Sequence, residues 1–165
     1  MSKPSLPTKN KLFGTNTAVN PLLTTLWDQS PDIFTTGPYN ALCPYDSIYK
    51  SHTLTGCVAT AMAQVMKYWN YPTKGIGTHS YTPPTKYLGV QTVNFGNTSY
   101  QWNLMPDTLS ANDAPATINA VATLMYHCGV SVDMDYGVNG SGALVINNTD
   151  NFWSKSYHNL SLIHI

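Results

Sequence analysis

Thr55-Gly56-Cys57-Val58-Ala59-Thr60-Ala61-Met62-Ala63-Gln64-Val65-Met66-Lys67-Tyr68-Trp69 reads as one helix with a single cysteine in its first turn. Val58, Met62, Val65, Met66 and Trp69 recur at helical spacing, and the small Ala59, Ala61 and Ala63 let neighbouring elements approach closely. The run is apolar on nearly every side, which predicts a helix inside a domain. Thr55 is the expected cap through its hydroxyl, Gly56 permits close approach of backbone or ligand, and Pro72 stops the run. Cys57 then sits where unpaired N–H groups and the positive end of the helix dipole favour thiolate over thiol, and thiolate is the nucleophile. A small buried cysteine is equally ordinary core filling. Periodicity alone leaves both readings open.

The whole chain has 165 residues, enough for one domain with a core. Lysine plus arginine and aspartate plus glutamate stand at eight each, and charged residues make up only 10% of the sequence. No basic run argues for a nucleic acid or an anionic membrane surface as partner. No apolar stretch is as long as a membrane span. Eleven tyrosines, with many Asn, Thr and Ser, predict a polar but uncharged surface. Cys43, Cys57 and Cys128 form neither a zinc-type pair nor a disulfide framework, so no metal or other cofactor is expected. The odd count suits one thiol kept for chemistry and three core cysteines equally well.

Met1 to Asn20 is polar and without a sustained period, and reads as a flexible leader. Its lysines are followed by no apolar block or small-residue cleavage site, so no signal peptide is read there. Ordered structure is expected from Pro21 through Trp27. A loop punctuated by Pro31, Gly37-Pro38 and Cys43-Pro44 follows, and Asp46 to Leu54 leads into the helix. Beyond Pro72, His79-Ser80-Tyr81-Thr82 and Val90-Gln91-Thr92-Val93-Asn94-Phe95 predict irregular strands or a hairpin. Tyr100, Trp102 and Met105 are expected to cover one edge of the core.

Asn112-Asp113-Ala114-Pro115 opens a second helix, with Asp113 as its cap and Gly129 as its end. Ile118, Val121, Ala122, Met125 and Cys128 form its buried stripe, so Cys128 reads as core and His127 as exposed. Val130 to Tyr136 alternates as a half-buried strand does. Gly140-Ser141-Gly142-Ala143 then forms a turn. Asn-x-Ser/Thr triplets at Asn97, Asn139, Asn147 and Asn159 are chance products of composition.

Trp27-x-Gln29, Pro38-Tyr39-Asn40, Cys43-Pro44, the run Gly56 to Pro72 and Gly75-x-Gly77 together resemble the streptopain family of secreted cysteine peptidases. Tyr100-x-Trp102-Asn103 and the Val132-Asp133-Met134-Asp135-Tyr136-Gly137 stretch are similar to it too. Residues around Pro31 to Thr36 lengthen the loop after Gln29 relative to the family. The resemblance implies an α+β, papain-like fold, represented mainly by its helical subdomain around a central, buried nucleophile helix. It implies Cys57 as nucleophile and Gln29 as oxyanion donor. It also implies that the backbone at Gly140 and Ser141 pairs with an extended peptide, a mode giving affinity with little side-chain selectivity. Protein or peptide substrates, an inhibitory propeptide and an extracellular or cell-surface location follow from the family in the same way. A neutral amide suits an oxyanion hole, because it stabilises charge that arises only in the transition state.

A thiolate peptidase also needs an imidazole beside the sulfur. In the family it lies in a Gly-His-Ala-type strand of the second subdomain, and the resemblance here runs only from about Pro21 to Phe152. His52 is near Cys57 in sequence but lies in the entry to the same helix, while His79, His127, His158 and His164 have no motif around them. Leu160 to Ile165 resembles translated adapter sequence. The expected organisation is therefore a leader over residues 1–20 and, over 21–165, a partial peptidase domain with the β subdomain largely absent. Such a chain is expected to be poorly soluble and inactive alone. The alternative is a non-catalytic peptide- or glycan-binding module on the same scaffold.

Overall fold

The computed structural model describes residues 21–29 and 37–143. The leader expected before Pro21, the Pro31–Thr36 insertion, His158, His164 and the residues after Ala143 lie outside them. Two helices, α1 (Cys57–Trp69) and α2 (Pro115–Ser131), pack against each other. Two small antiparallel hairpins flank them. One joins β1 (Tyr45–Asp46) to β2 (Ser51–His52), and the other joins β3 (Thr78–Tyr81) to β4 (Gln91–Asn94). The second is the hairpin predicted after Pro72. The first replaces what reads in sequence as a plain lead-in to α1, and the Asp46 carboxylate holds its turn by accepting the Ile48 and Tyr49 N–H groups.

The core forms where the helices meet. Ala59, Ala63 and Met66 of α1 face Val121, Leu124, Met125 and Cys128 of α2, all of them buried. The alanines bring the helices close, and Met66 Sδ lies 3.6 Å from Cys128 Sγ. Trp27, Tyr39, Phe95, Tyr100, Trp102, Met105 and Met134 extend this cluster as buried members of it. Each large apolar side chain taken from water contributes roughly 1.5–3 kcal/mol.

Burial of α1 is one-sided, not all-round. Ala61, Val65, Tyr68 and Trp69 are exposed, and Trp69 keeps 70% of its surface in solvent. Apolar residues at several angles around a helix leave open which of them face the partner. Thr55 is not the cap: Gly56 holds that position at φ 91°, and no side chain caps the helix. Thr55 turns inward, donating its hydroxyl to the Tyr39 carbonyl, with Cys43 Sγ 3.4 Å away. At the other end Asn70 takes the left-handed conformation, and its N–H bonds to the Met66 and Lys67 carbonyls.

α2 departs from expectation at both ends. Ala114 is its cap residue, while the Asp113 carboxylate accepts the Ser110 N–H instead. The helix continues through Gly129 to Ser131, so Val130 and Ser131 are helical rather than strand. Gly129 is required there by packing, because a Cβ would collide with the Tyr136 hydroxyl. Past the helix, Asp133 adopts φ 52°, and Asp135 forms a single antiparallel bridge with Gly142. His127 is buried, against the expectation of exposure. Phe95 and Tyr100 pack edge-on to its ring, and the Tyr100 oxygen lies 3.0 Å from Nδ1.

Candidate active site

Three cysteines, three environments: Cys43 and Cys128 are buried, and Cys57 is exposed. Burial pushes the Cys43 thiol up to about 12, with the bond to Thr55 offsetting only part of it, and holds Cys128 higher still. Both stay protonated and shielded at neutral pH. Cys57 is the first residue of α1, where the first-turn N–H groups have no intrahelical acceptor. The first turn also carries no acidic side chain to compete for them. That end of the helix favours an anion, whether thiolate or oxyanion.

Gly56 brings Cys57 into this position and cannot easily be replaced. Its φ of 91° is unfavourable for any side chain, and a Cβ would meet Met134 Sδ and Cε at 2.7 Å and the Ser141 carbonyl oxygen at 3.2 Å. Its carbonyl accepts both the Thr60 N–H and the Thr60 hydroxyl at 3.0 Å.

Cys57 and Gln29 line one open pocket of ≈ 310 Å³, together with Asp28, Thr60, Ala61 and Gln64. The segment bearing Gln29 is docked at several points. Thr25 donates to Gln64 Oε1 at 2.9 Å, the Leu26 N–H to the Asp107 carbonyl and the Trp27 indole to the Pro106 carbonyl, each at 2.8 Å. Gln29 itself is gripped through its carbonyl, which accepts Asn40 Nδ2 at 2.9 Å. Its side-chain Oε1 is buried and has no hydrogen-bond partner among the described residues. An unsatisfied buried carbonyl oxygen costs about 1–3 kcal/mol; being an acceptor it calls for an N–H or O–H donor, while donation to an oxyanion would fall to the Nε2 end of the same amide.

Gly140 and Ser141 are placed beside this pocket but not among its lining residues. The Ser141 hydroxyl donates to the Leu54 carbonyl at 2.6 Å and accepts the Gly137 N–H at 3.0 Å, while the Leu54 N–H bonds to the Gly137 carbonyl. The turn thus clamps Leu54 and sets the Ser141 carbonyl against Gly56. Gly140 is exposed, and nothing lies within 4 Å of where its Cβ would be.

No described histidine lines the pocket. His52 Nδ1 lies 2.6 Å from the Cys43 carbonyl, His79 Nε2 lies 2.6 Å from Asp133, and burial lowers His127 from 6.5 to about 4. Among the described residues no group of three or more His, Cys, Asp or Glu is arranged to hold a metal ion. No described helix is long and apolar enough to cross a membrane.

The model of the peptidase C10 family matches residues 27–162, most of the chain. The chain belongs to the peptidase C10 family. Its relatives in the family include streptopain of Streptococcus pyogenes, 34% identical over 79% of this chain and 36% of that protein. The thiol protease/hemagglutinin of Porphyromonas gingivalis is 35% identical over 73% of this chain and 13% of its own length. Active wild-type interpain A of Prevotella intermedia superposes with a TM-score of 0.69 at 41% identity, covering 87% of this chain and 53% of that one. A prointerpain A fragment from the same organism gives 0.65 at 46% identity, over 76% and 38%. The fold is thus that of papain-like cysteine peptidases, in its α+β form, as the sequence motifs imply. The chain spans about a third of the length of streptopain.

Several residues in or behind the pocket carry no sequence signal for that place. Asn40 and Thr55 act through buried bonds from irregular segments, and Thr60 and Gln64 become pocket wall only once the orientation of α1 is known. Pro38-Tyr39-Asn40 stood out in the family resemblance, and that was the available signal for Asn40.

Proposed function

We propose that this chain carries the nucleophile half of a cysteine-type endopeptidase, with Cys57 as nucleophile and Gln29 as oxyanion donor. The observation that carries it is the shared pocket: one exposed thiol at an uncapped helix N-terminus and the Gln29 side chain line the same space. In the proposed reaction the Cys57 thiolate adds to a peptide carbonyl, and the Cys57 N–H and the Gln29 amide hold the oxyanion. Collapse to a thioester expels the amine, which must be protonated as it leaves. The three described histidines are engaged elsewhere, so no base stands in the pocket among the described residues, and negligible proteolytic activity of the 165-residue chain by itself belongs to the same proposal.

Protein or peptide substrates fit an open pocket, and the Gly140–Ser141 turn beside Gly56, with Gly140 exposed and Ser141 half-buried, offers backbone for an extended peptide. A prointerpain among the solved relatives supports control by a propeptide. Location outside the cell belongs to the same proposal by family likeness.

Treatment with a peptidyl chloromethyl ketone, followed by mass-spectrometric location of the adduct, tests the nucleophile. The adduct is expected on Cys57 and absent from Cys57→Ser. Adducts shared among the three cysteines would refute the assignment. Robust casein hydrolysis by the 165-residue chain, lost in Cys57→Ser, would show that the base lies within it after all.

A further inference from the structure

Asn40 is fully buried, and its side-chain amide joins the two halves of the proposed site. Nδ2 donates to the Gln29 carbonyl at 2.9 Å, and Oδ1 accepts the Thr55 N–H at 2.8 Å. Thr55 lies two residues before Cys57. One side chain therefore spans from the backbone of the proposed oxyanion donor to the irregular segment that leads into the nucleophile helix.

The amide's orientation is dictated by its partners. A backbone carbonyl only accepts and a backbone N–H only donates, so a flipped amide would set like against like at both ends. Its support is rigid as well. Asn40 ends the 3-10 turn Pro38–Asn40, and its own carbonyl accepts the Cys43 N–H at 2.9 Å. Tyr39, beside it, is buried in the core, and its hydroxyl accepts the Leu109 N–H at 2.8 Å. The bonds at Thr25, Leu26 and Trp27 reach no further than Trp27, whereas Asn40 grips Gln29 itself.

We infer that Asn40 is a positioning residue for the reaction at Cys57: it fixes the Gln29 backbone against the segment that enters the nucleophile helix, so that the Gln29 amide meets the oxyanion. The inference rests on the reading of Cys57 and Gln29 given above. A buried asparagine of this kind also serves stability, so its test must separate oxyanion stabilisation from general integrity.

Two reagents acting on Cys57 of the 165-residue chain make that separation. With p-nitrophenyl acetate, the thiolate sulfur bonds to the ester carbonyl carbon, an oxyanion forms, and the C–O bond breaks with its electron pair leaving on p-nitrophenolate. With iodoacetamide, the thiolate displaces iodide at a methylene carbon, and no oxyanion arises. The ratio of the two rates reports the oxyanion hole alone and needs no histidine, provided the pH populates thiolate.

Gln29→Ala is expected to lower the ratio by about 100-fold, the usual consequence of losing one oxyanion donor. Asn40→Asp keeps the acceptor for Thr55 and sets an oxygen against the Gln29 carbonyl. It is expected to lower the ratio by about tenfold or more, as small misplacements of a positioned group do, and to add nothing in the Gln29→Ala background. Asn40→Ser, too short to span the gap, serves as the uncharged second variant. Slow labelling of Cys43 and Cys128 checks that each variant is folded.

An unchanged ratio in Gln29→Ala would remove the oxyanion reading itself, and this inference with it. A lowered ratio in Gln29→Ala with a normal ratio in both Asn40 variants would overturn the positioning role alone. Equal slowing of both reactions in the Asn40 variants, or a further drop in the Gln29→Ala background, would overturn it too. If neither Asn40 variant protects Cys43 and Cys128, Asn40 serves the fold and not the site.

Discussion

His127 makes the chain sensitive to mild acid, and the size of the effect follows from its surroundings. The ring is buried between Phe95, Tyr100 and Tyr126, and burial lowers it from 6.5 to about 4. In the unfolded chain the same imidazole takes up a proton near 6.5. As pH falls below that value the unfolded state gains a proton that the folded state does not, so stability is lost until the folded ring itself titrates near 4. At 1.36 kcal/mol per pH unit this amounts to about 3 kcal/mol, a sizeable part of the ~5–15 kcal/mol of an ordinary domain. Protonation would also leave a buried charge beside a tyrosine hydroxyl that now serves the neutral ring. The assay is urea denaturation followed by tryptophan fluorescence at intervals from pH 7 to pH 4. His127→Gln keeps an acceptor for Tyr100 and cannot titrate, so it should lose about 3 kcal/mol less than wild type across that window. Asp46 does not confuse the result. Burial raises its carboxyl, but bonds from Tyr49, Tyr87 and Ile48 outweigh that and leave it below 3.8, so its contribution is lost only at still lower pH. Parallel loss in wild type and His127→Gln would refute the reasoning.

Titration with a disulfide reagent should find one fast thiol in the folded chain and three after denaturation, and Cys57→Ser should abolish the fast phase. Gly56→Ala combines an unfavourable φ with contact at Met134, and should cost at least about 1–3 kcal/mol by denaturant titration. Adding Met134→Ala should relieve the clash but not the backbone strain, so recovery would be partial. Gly129→Ala drives a methyl group into the Tyr136 hydroxyl; Tyr136→Phe in the same chain should restore much of the lost stability, a non-additivity that a double-mutant cycle reads directly. Met66→Ala, at the contact between the helices, should cost about 2–5 kcal/mol, measured as a shift in the urea midpoint.

What could be read from the sequence was what depends on local chemistry. Both helices, the Thr78–Asn94 hairpin and the core position of Cys128 follow from spacing and composition, since these fix which residues favour which backbone. Orientation did not follow. The apolar residues of α1 point several ways, and only the arrival of α2 decides that Met66 is buried and Val65 is not. His127 is buried for the same reason: the stripe that α2 alone presents omits the face that Phe95 and Tyr100 cover. Thr55 has the ordinary sequence position of a helix cap, but Tyr39 and Asn40, 15 or 16 residues upstream, compete for its polar groups and win. Val130 to Tyr136 alternates like a strand, yet helical hydrogen bonds carry α2 past Gly129, and the left-handed Asp133 ends any extended run.

The absence of a side-chain cap on α1 has a physical logic that joins stability to the proposed chemistry. A serine or aspartate at the cap position usually stabilises a helix by about 1 kcal/mol, because its oxygen satisfies first-turn N–H groups. In this chain such an oxygen would occupy the donors that a thiolate or oxyanion at Cys57 needs. Steric conditions at Gly56 keep it out, since φ is 91° and Met134 and Ser141 leave no space for a side chain. The missing cap is offset by fixing the irregular segment ahead of the helix instead. The Thr53 N–H bonds to the Pro44 carbonyl, Leu54 is held at both polar groups by Gly137 and Ser141, and Thr55 is held at its N–H by Asn40 and at its hydroxyl by Tyr39. Three consecutive residues are thus locked by contacts from remote parts of the chain, and the next two present an unblocked helix terminus and an exposed thiol. Rigidity comes from the frame around the helix end, which leaves the end itself available to a ligand.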